Sequence, residues 1–279
     1  MPGGVLYVVA TPIGNLEDVT LRALRVLREV DLIAAEDTRH TRTLLARHGI
    51  NRPLTSYYDA VERRRAPAIV ERLEAGARVA LVSDAGTPGI ADPGYHLVRG
   101  ALAAGVPVVP VPGPSAVTAL VSVAGLPADR FVFEGFLPSR AGPRAARLAA
   151  LAQEPRALVF LEAARRLGGF LAAARAALGD REAVVARELT KRHEEILRGL
   201  LSALMARVGE AARLRGEVTV LIAGSGEAPP RAEAMDVDDA IRTARAAGRG
   251  LRELSAEIAR RTGLPRREVY RRALALERR

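Results

Sequence analysis

The 279-residue sequence predicts an α/β fold of two domains, with a mainly parallel sheet in the first, followed by a small all-helical C-terminal appendage resembling a helix-turn-helix. Three patterns carry that reading. In residues 1–112, five short apolar runs alternate with helical periods, which implies repeated βαβ units and a sheet covered on both faces. Residues 113–226 repeat the alternation as a second α/β domain of similar size. Beyond a linker over 224–232 that contains Pro229-Pro230, residues 236–279 show helical periodicity alone, within a third segment spanning 233–279.

The first strand, residues 5–10, turns through Thr11-Pro12-Ile13-Gly14-Asn15-Leu16 into a helix over 20–30. The second, 32–35, runs into six consecutive polar residues, Glu36 to Thr41, ahead of an apolar-periodic helix that ends near His48-Gly49. Asp37 or Thr38 suffices to cap that helix, which leaves Glu36, Arg39 and His40 for another task. A weaker strand over 54–58 and a helix over 60–75 with a charged face come next. The strand that starts at Val79 then breaks into Ser83-Asp84-Ala85-Gly86-Thr87-Pro88-Gly89-Ile90-Ala91-Asp92-Pro93-Gly94. Pro and Gly hold off the next helix until after Pro93, so Asp92 is expected as its N-cap with Pro93 at the first helical position. The loop lies at the carboxyl end of a strand, where open α/β sheets bind ligands. It also carries more polar groups than a plain connection of about 2–6 residues needs.

A helix over 95–104 and a strand over 106–111 lead to Pro112-Gly113-Pro114-Ser115-Ala116. In the second half a helix over 115–124, a strand over 131–137 and a helix over 143–152 precede strands at 157–161, 183–186 and 218–223, with helices between them. A cleft between the two domains is the natural ligand site. In the tail, Ser255 to Tyr270 reads as helix, Gly263 turn and second helix, either a helix-turn-helix or a packing αα-hairpin. The Arg pairs 266/267 and 271/272 favour the former.

Composition excludes several chemistries. The chain has no Cys, which removes disulfides, thiolate catalysis and Cys-zinc sites, and its four His (40, 48, 96, 193) form no ligand cluster, so no metal is expected. P-loop, G-x-G-x-x-G and G-x-S-x-G patterns are absent. No apolar run approaches the roughly 18–20 residues of a membrane span, and the N-terminus lacks the form of a signal peptide, so a cytoplasmic protein without membrane association is expected. The net charge of +10 suggests an anionic partner, but only one basic residue in 42 is Lys, and charge alone does not decide the partner. Residues 260–279 hold eight Arg and two Glu, a charge that suits a phosphate backbone or, equally, a solvated helix face.

Six ordered motifs carry a resemblance: Thr11 to Leu16, Ala35 to Thr41, Ser83 to Pro88, Asp92 to Gly94, Val111 to Ser115, and Ala186-Arg-Glu-Leu-Thr-Lys191. Together they resemble the small-subunit ribosomal RNA methyltransferases of the tetrapyrrole methylase superfamily. The resemblance implies a tetrapyrrole-methylase-like fold and S-adenosylmethionine as cofactor. It further implies methyl transfer to the 2′-hydroxyl of one cytidine in the decoding region of 16S rRNA, with the small ribosomal subunit as context and a homodimer as assembly. Carried over residue by residue, it places cofactor contacts at Pro12, Val82, Ser83, Asp84, Ser115 and Ala116, with later ones near Thr87, Glu162 and Leu189. Val82-Ser83-Asp84 stands where the superfamily has Gly-Gly-Asp, so the Asp84 carboxylate is the shared feature. Glu36 matches an acidic residue that acts in some tetrapyrrole enzymes and is the first choice of general base. Asp37 and His40 come after it, and Arg39 is read as a phosphate contact. The rival readings are methylation of an acidic tetrapyrrole and a non-enzymatic nucleic-acid-binding regulator.

Overall fold

Two sheets, each of five strands, organise the first of two compact units, Met1–Ser225 and Gly226–Arg279. The computed structural model describes residues 3–210, 216–226, 237–246, 248–262 and 266–277. Pro229-Pro230 and the Gly263 turn lie outside the described residues.

The first sheet contains β1 (Val5–Val9), β2 (Leu32–Ala35), β3 (Leu54–Ser56), β4 (Arg78–Val82) and β5 (Val108–Val111), all parallel, in the order β3-β2-β4-β1-β5. Its crossovers are α1 (Leu21–Glu29), α2 (Thr38–Arg47), α3 (Asp59–Glu74) and α4 (Tyr95–Ala103). Because successive strand side chains point to opposite faces, β4 sends Val79 and Leu81 into one core with α3 and α4, and Ala80 and Val82 into another with α1 and α2. That double burial is why these strands read as continuous apolar runs.

Helix α5 (Ala116–Val123) leads to the second sheet. It contains β6 (Phe131–Phe136), β7 (Ala157–Ala163), β8 (Glu182–Arg187), β9 (Glu195–Leu200) and β10 (Glu217–Ile222), in the order β6-β7-β10-β8-β9. Only β6 and β7 run parallel; the other three pairings are antiparallel. Helices α6 (Ala141–Ala150), α7 (Leu167–Leu178) and α8 (Leu201–Glu210) cover one face around Leu158, Phe160 and Phe170. On the other face α5 packs with Ile13 of the first loop against Val159, Val184 and Leu221. The sequence predicts four strands in this half, and β9 is the one it lacks. As a mostly solvent-facing edge strand it has no run of buried apolar residues to announce it.

The second unit contains α9 (Val237–Ala246), α10 (Leu251–Thr262) and α11 (Arg266–Glu277), joined by a core of Ile241, Leu254, Ile258, Val269 and Ala273. Arg267, Arg271 and Arg272 of α11 are exposed. Among the described residues, no helix is long and apolar enough to cross a membrane.

Candidate active site

The chain leaves β1 towards β2 and leaves β4 towards β5, in opposite directions along the sheet, so the topological switch point falls between these neighbours. The two loops there are tied together. Thr11 N donates to Gly86 O at 2.8 Å, Gly86 N donates to Thr11 O at 3.0 Å, and Thr11 Oγ1 donates to Ser83 O at 3.0 Å. Gly86 has φ +80°, a left-handed conformation that favours glycine. The loop after β2 joins them, with Asp37 N donating to Asp84 Oδ1 at 2.9 Å and Asp84 N to Glu36 Oε2 at 3.3 Å. Three strand ends thus form one platform.

Asp92 corrects the sequence reading. Helix α4 begins at Tyr95 with Gly94 as N-cap, and its first amides are taken by a residue remote in sequence. Glu62 Oε1, 7 % exposed, accepts from Gly94 N at 3.0 Å and from His96 N at 2.8 Å. Glu62 therefore does the capping expected of Asp92, and Asp92 instead lines the cleft. Ala91 before it has φ +61°, the left-handed region that alanine rarely adopts.

The cleft, about 970 Å³ with its open mouth, lies between the first-sheet loops and one end of the second sheet. Glu36, Asp84, Thr87, Asp92, Ser115 and Ala116 come from the first side and from the start of α5, and Glu188, Leu189, Lys191 and Glu217 from the second. Burial and the carboxylates of Asp84, Asp59 and Glu217 push the Glu36 carboxyl above its ordinary range, against the pull of the Asp84 amide. Burial, with Glu36 next, pushes Asp92 up to about 7. Among the described residues no group of three or more His, Cys, Asp or Glu is placed to hold a metal ion.

Of the residues singled out from sequence, Glu36, Asp84, Thr87, Ser115, Ala116 and Leu189 line this cleft together. Pro12, Ser83 and His40 instead line a separate small cavity with Thr41 and with Asp84, which lines both. Val82 is in the core beneath the loop. Asp37 caps α2 through Arg39 N at 2.8 Å and is bridged by the Arg39 guanidinium, whose hydrogen bonds hold its carboxyl at about 2. Glu162, 1 % exposed, accepts from Ala163 N and from Arg166 Nε, at 2.7 and 2.6 Å. Glu188, Lys191 and Glu217 are the residues that sequence reasoning passed over. Lys191 had a signal, as the last residue of a recognised motif; Glu217 has none, because only the direction of β10 brings it to the cleft.

Residues 5–205 match the family model for Tetrapyrrole (Corrin/Porphyrin) Methylases. The fold is shared with the methyltransferase CobJ (TM-score 0.60, 23% identity, covering 80% of this chain and 95% of that one). It is shared also with uroporphyrin-III C-methyl transferase from Thermus thermophilus complexed with S-adenyl homocysteine (TM-score 0.55, 22% identity, 78% and 97%). Closer in sequence are two proteins named ribosomal RNA small subunit methyltransferase I. The one from Pseudomonas aeruginosa is 49% identical over 98% of this chain and 98% of its own; that from Thermotoga maritima is 48% identical over 79% of this chain and 99% of its own. The chain belongs to the tetrapyrrole methylase family and, within it, to the ribosomal RNA small subunit methyltransferase I group.

Proposed function

We propose that this chain transfers a methyl group from S-adenosylmethionine to the 2′-hydroxyl of a cytidine in the decoding region of 16S rRNA, acting as a cytoplasmic homodimer on the small ribosomal subunit. The observation that carries the reading is the carboxylate-lined cleft at the switch point of the parallel sheet. Its chemistry fits the donor: Glu36, Asp84, Asp92, Glu188 and Glu217 against a single ammonium favour a cation, and Gly86 lets a ligand approach the backbone. When bound, S-adenosylmethionine supplies an activated methyl group on a sulfonium cation. The second unit, with Arg267, Arg271 and Arg272 exposed, suits a nucleic acid and weighs against an acidic tetrapyrrole as substrate.

Asp84 and Glu217 suit the donor's positive charge, while Thr87 and the start of α5 at Ser115-Ala116 offer polar contacts. Glu36 and Asp92 have the carboxyls that burial and neighbouring charge raise, which brings their proton affinity towards neutral pH, as removal of a hydroxyl proton requires. Glu36 is assigned as the acceptor and Asp92 as its partner. Holding the hydroxyl in line with the methyl group should supply the larger gain, on the order of 7–11 kcal/mol. The Thermotoga relative is covered almost whole by four-fifths of this chain, and the family model ends at residue 205, so the chemistry is assigned to the first unit. The second unit, with its exposed Arg267, Arg271 and Arg272, is assigned to docking on RNA phosphate.

The test is to incubate the purified chain with labelled S-adenosylmethionine and small ribosomal subunits, then map the label. A single labelled cytidine ribose is the expected outcome; label on a base, or none, overturns the reading.

A further inference from the structure

Forty-one of the 42 basic residues of the chain are Arg, and one, Lys191, is Lys. In a sequence so weighted towards Arg, a single Lys marks a position where the two cations are not interchangeable. The structure shows what is special there. Among the described residues that line the cleft, Lys191 is the one cation, sharing the space with five carboxylates.

Its position is held from several sides. Glu188 and Thr190, which flank Leu189 just before it, have φ of +53° and +64°. Lys191 N donates to Glu188 O at 2.9 Å, Thr190 N donates to Glu194 Oε2 at 2.7 Å, and Thr190 Oγ1 accepts from Asn15 N at 3.0 Å. The stem lies against bare backbone: a Cβ on Gly14 would fall 2.4 Å from Lys191 Cγ. At its tip, Nζ donates to Glu188 Oε1 at 3.0 Å, with the side chain 35% exposed. The ammonium is thus paired, partly open to solvent, and set on a narrow flexible stem where the two sides of the cleft meet.

A ribonucleotide entering this cleft brings phosphates into a lining of carboxylates, and one compact cation has to offset that repulsion. We infer that Lys191 is the group through which the cleft accepts the phosphodiester beside the reacting ribose, exchanging its Glu188 partner for the phosphate when substrate arrives. This rests on the ribosomal RNA reading above and adds to it a residue that determines substrate binding. A guanidinium would restore the charge, but it is a broader planar group at the end of a stem that already touches the first loop.

The experiment uses the full-length chain as wild type, Lys191→Met and Lys191→Arg, with melting curves to establish that all three fold. S-adenosylmethionine affinity is measured by calorimetry, KM and kcat on small ribosomal subunits, and rRNA affinity across a salt series. For Lys191→Met the expected result is a KM for subunits raised roughly tenfold, the size of one charge-assisted hydrogen bond. Its log-log salt slope should be shallower by about 0.7, as for one lost phosphate contact, with donor affinity within about twofold of wild type. Lys191→Arg should recover the slope and only part of the KM. Unchanged KM and slope in Lys191→Met, beside a wild type that methylates subunits, overturn the inference alone. A tenfold loss of donor affinity overturns it as well, by assigning the ammonium to the cofactor. A wild type that leaves subunits unlabelled defeats the functional reading, and the inference with it.

Discussion

The two sheets of the first unit contribute unequally to one cleft. In the first sheet every strand runs the same way, so the loops after β1, β2 and β4 emerge at one edge, and Thr11, Glu36, Asp84 and Asp92 are brought together by local chain direction. In the second, three of four pairings are antiparallel, so strand ends alternate in direction and the side facing the cleft mixes the ends of β7 and β8 with the start of β10. A parallel sheet gathers polar loops, whereas a mixed sheet supplies a wall. Changes in the first sheet's loops should therefore alter the chemistry with little effect on stability, and changes in the second sheet's core should do the reverse.

The largest expected effect is on Glu36. Glu36→Gln keeps the shape and removes the proposed proton acceptor, so single-turnover methyl transfer should fall by about 10² to 10⁴-fold while donor affinity and melting temperature stay close to wild type. A rate within a few fold of wild type would break the assignment of chemistry to this loop.

Next comes the core of the wall. Phe160 is fully buried and meets the Phe170 ring edge-on at a centroid separation of 5.2 Å. Phe160→Ala should cost about 3–5 kcal/mol in denaturant unfolding, and the protein that remains folded should turn over at a nearly normal rate. A selective loss of rate would show that the wall does more than support.

Glu62 sharpens the comparison, because it links the core of the first sheet to the position of Asp92. Its Oε1 accepts from Gly94 N, His96 N and, at 3.3 Å, Tyr57 Oη, so Glu62→Ala should leave buried donors unmatched and destabilise by about 1–3 kcal/mol. By releasing the loop before α4 it should also slow methyl transfer more than Phe160→Ala does at equal folded fraction. Equal slowing in both would mean that Asp92 does not depend on this cap.

The last effect is a dependence on pH. Asp92 is raised in the folded chain from 3.8 to about 7, so its contribution to stability is fully present below pH 4 and is lost as pH rises through 7. Asp92→Asn removes that loss, and its melting temperature relative to wild type should rise between pH 4 and pH 8. A difference that stays constant over that range would show that the carboxyl is not held against its charge.

The sequence by itself determined the alternation of strands and helices, the double-sided burial of the first sheet and the strand-end loops that carry Glu36, Asp84 and Ser115. Each of these is written in local periodicity or in Gly, Pro and polar residues at a strand terminus. The family was legible for the same reason, since its motifs are those loops. Only the tertiary structure decided which side chains share the cleft. Asp92 has a textual role as a helix cap, and it loses that role because Glu62, thirty residues earlier, occupies the same amides. Glu217 reaches the cleft because β10 runs antiparallel to β7, and β9 exists because β8 offers it an open edge. The raised proton affinities of Glu36 and Asp92 come from burial and from carboxylates distant in sequence, and these are properties of packing that no local pattern contains.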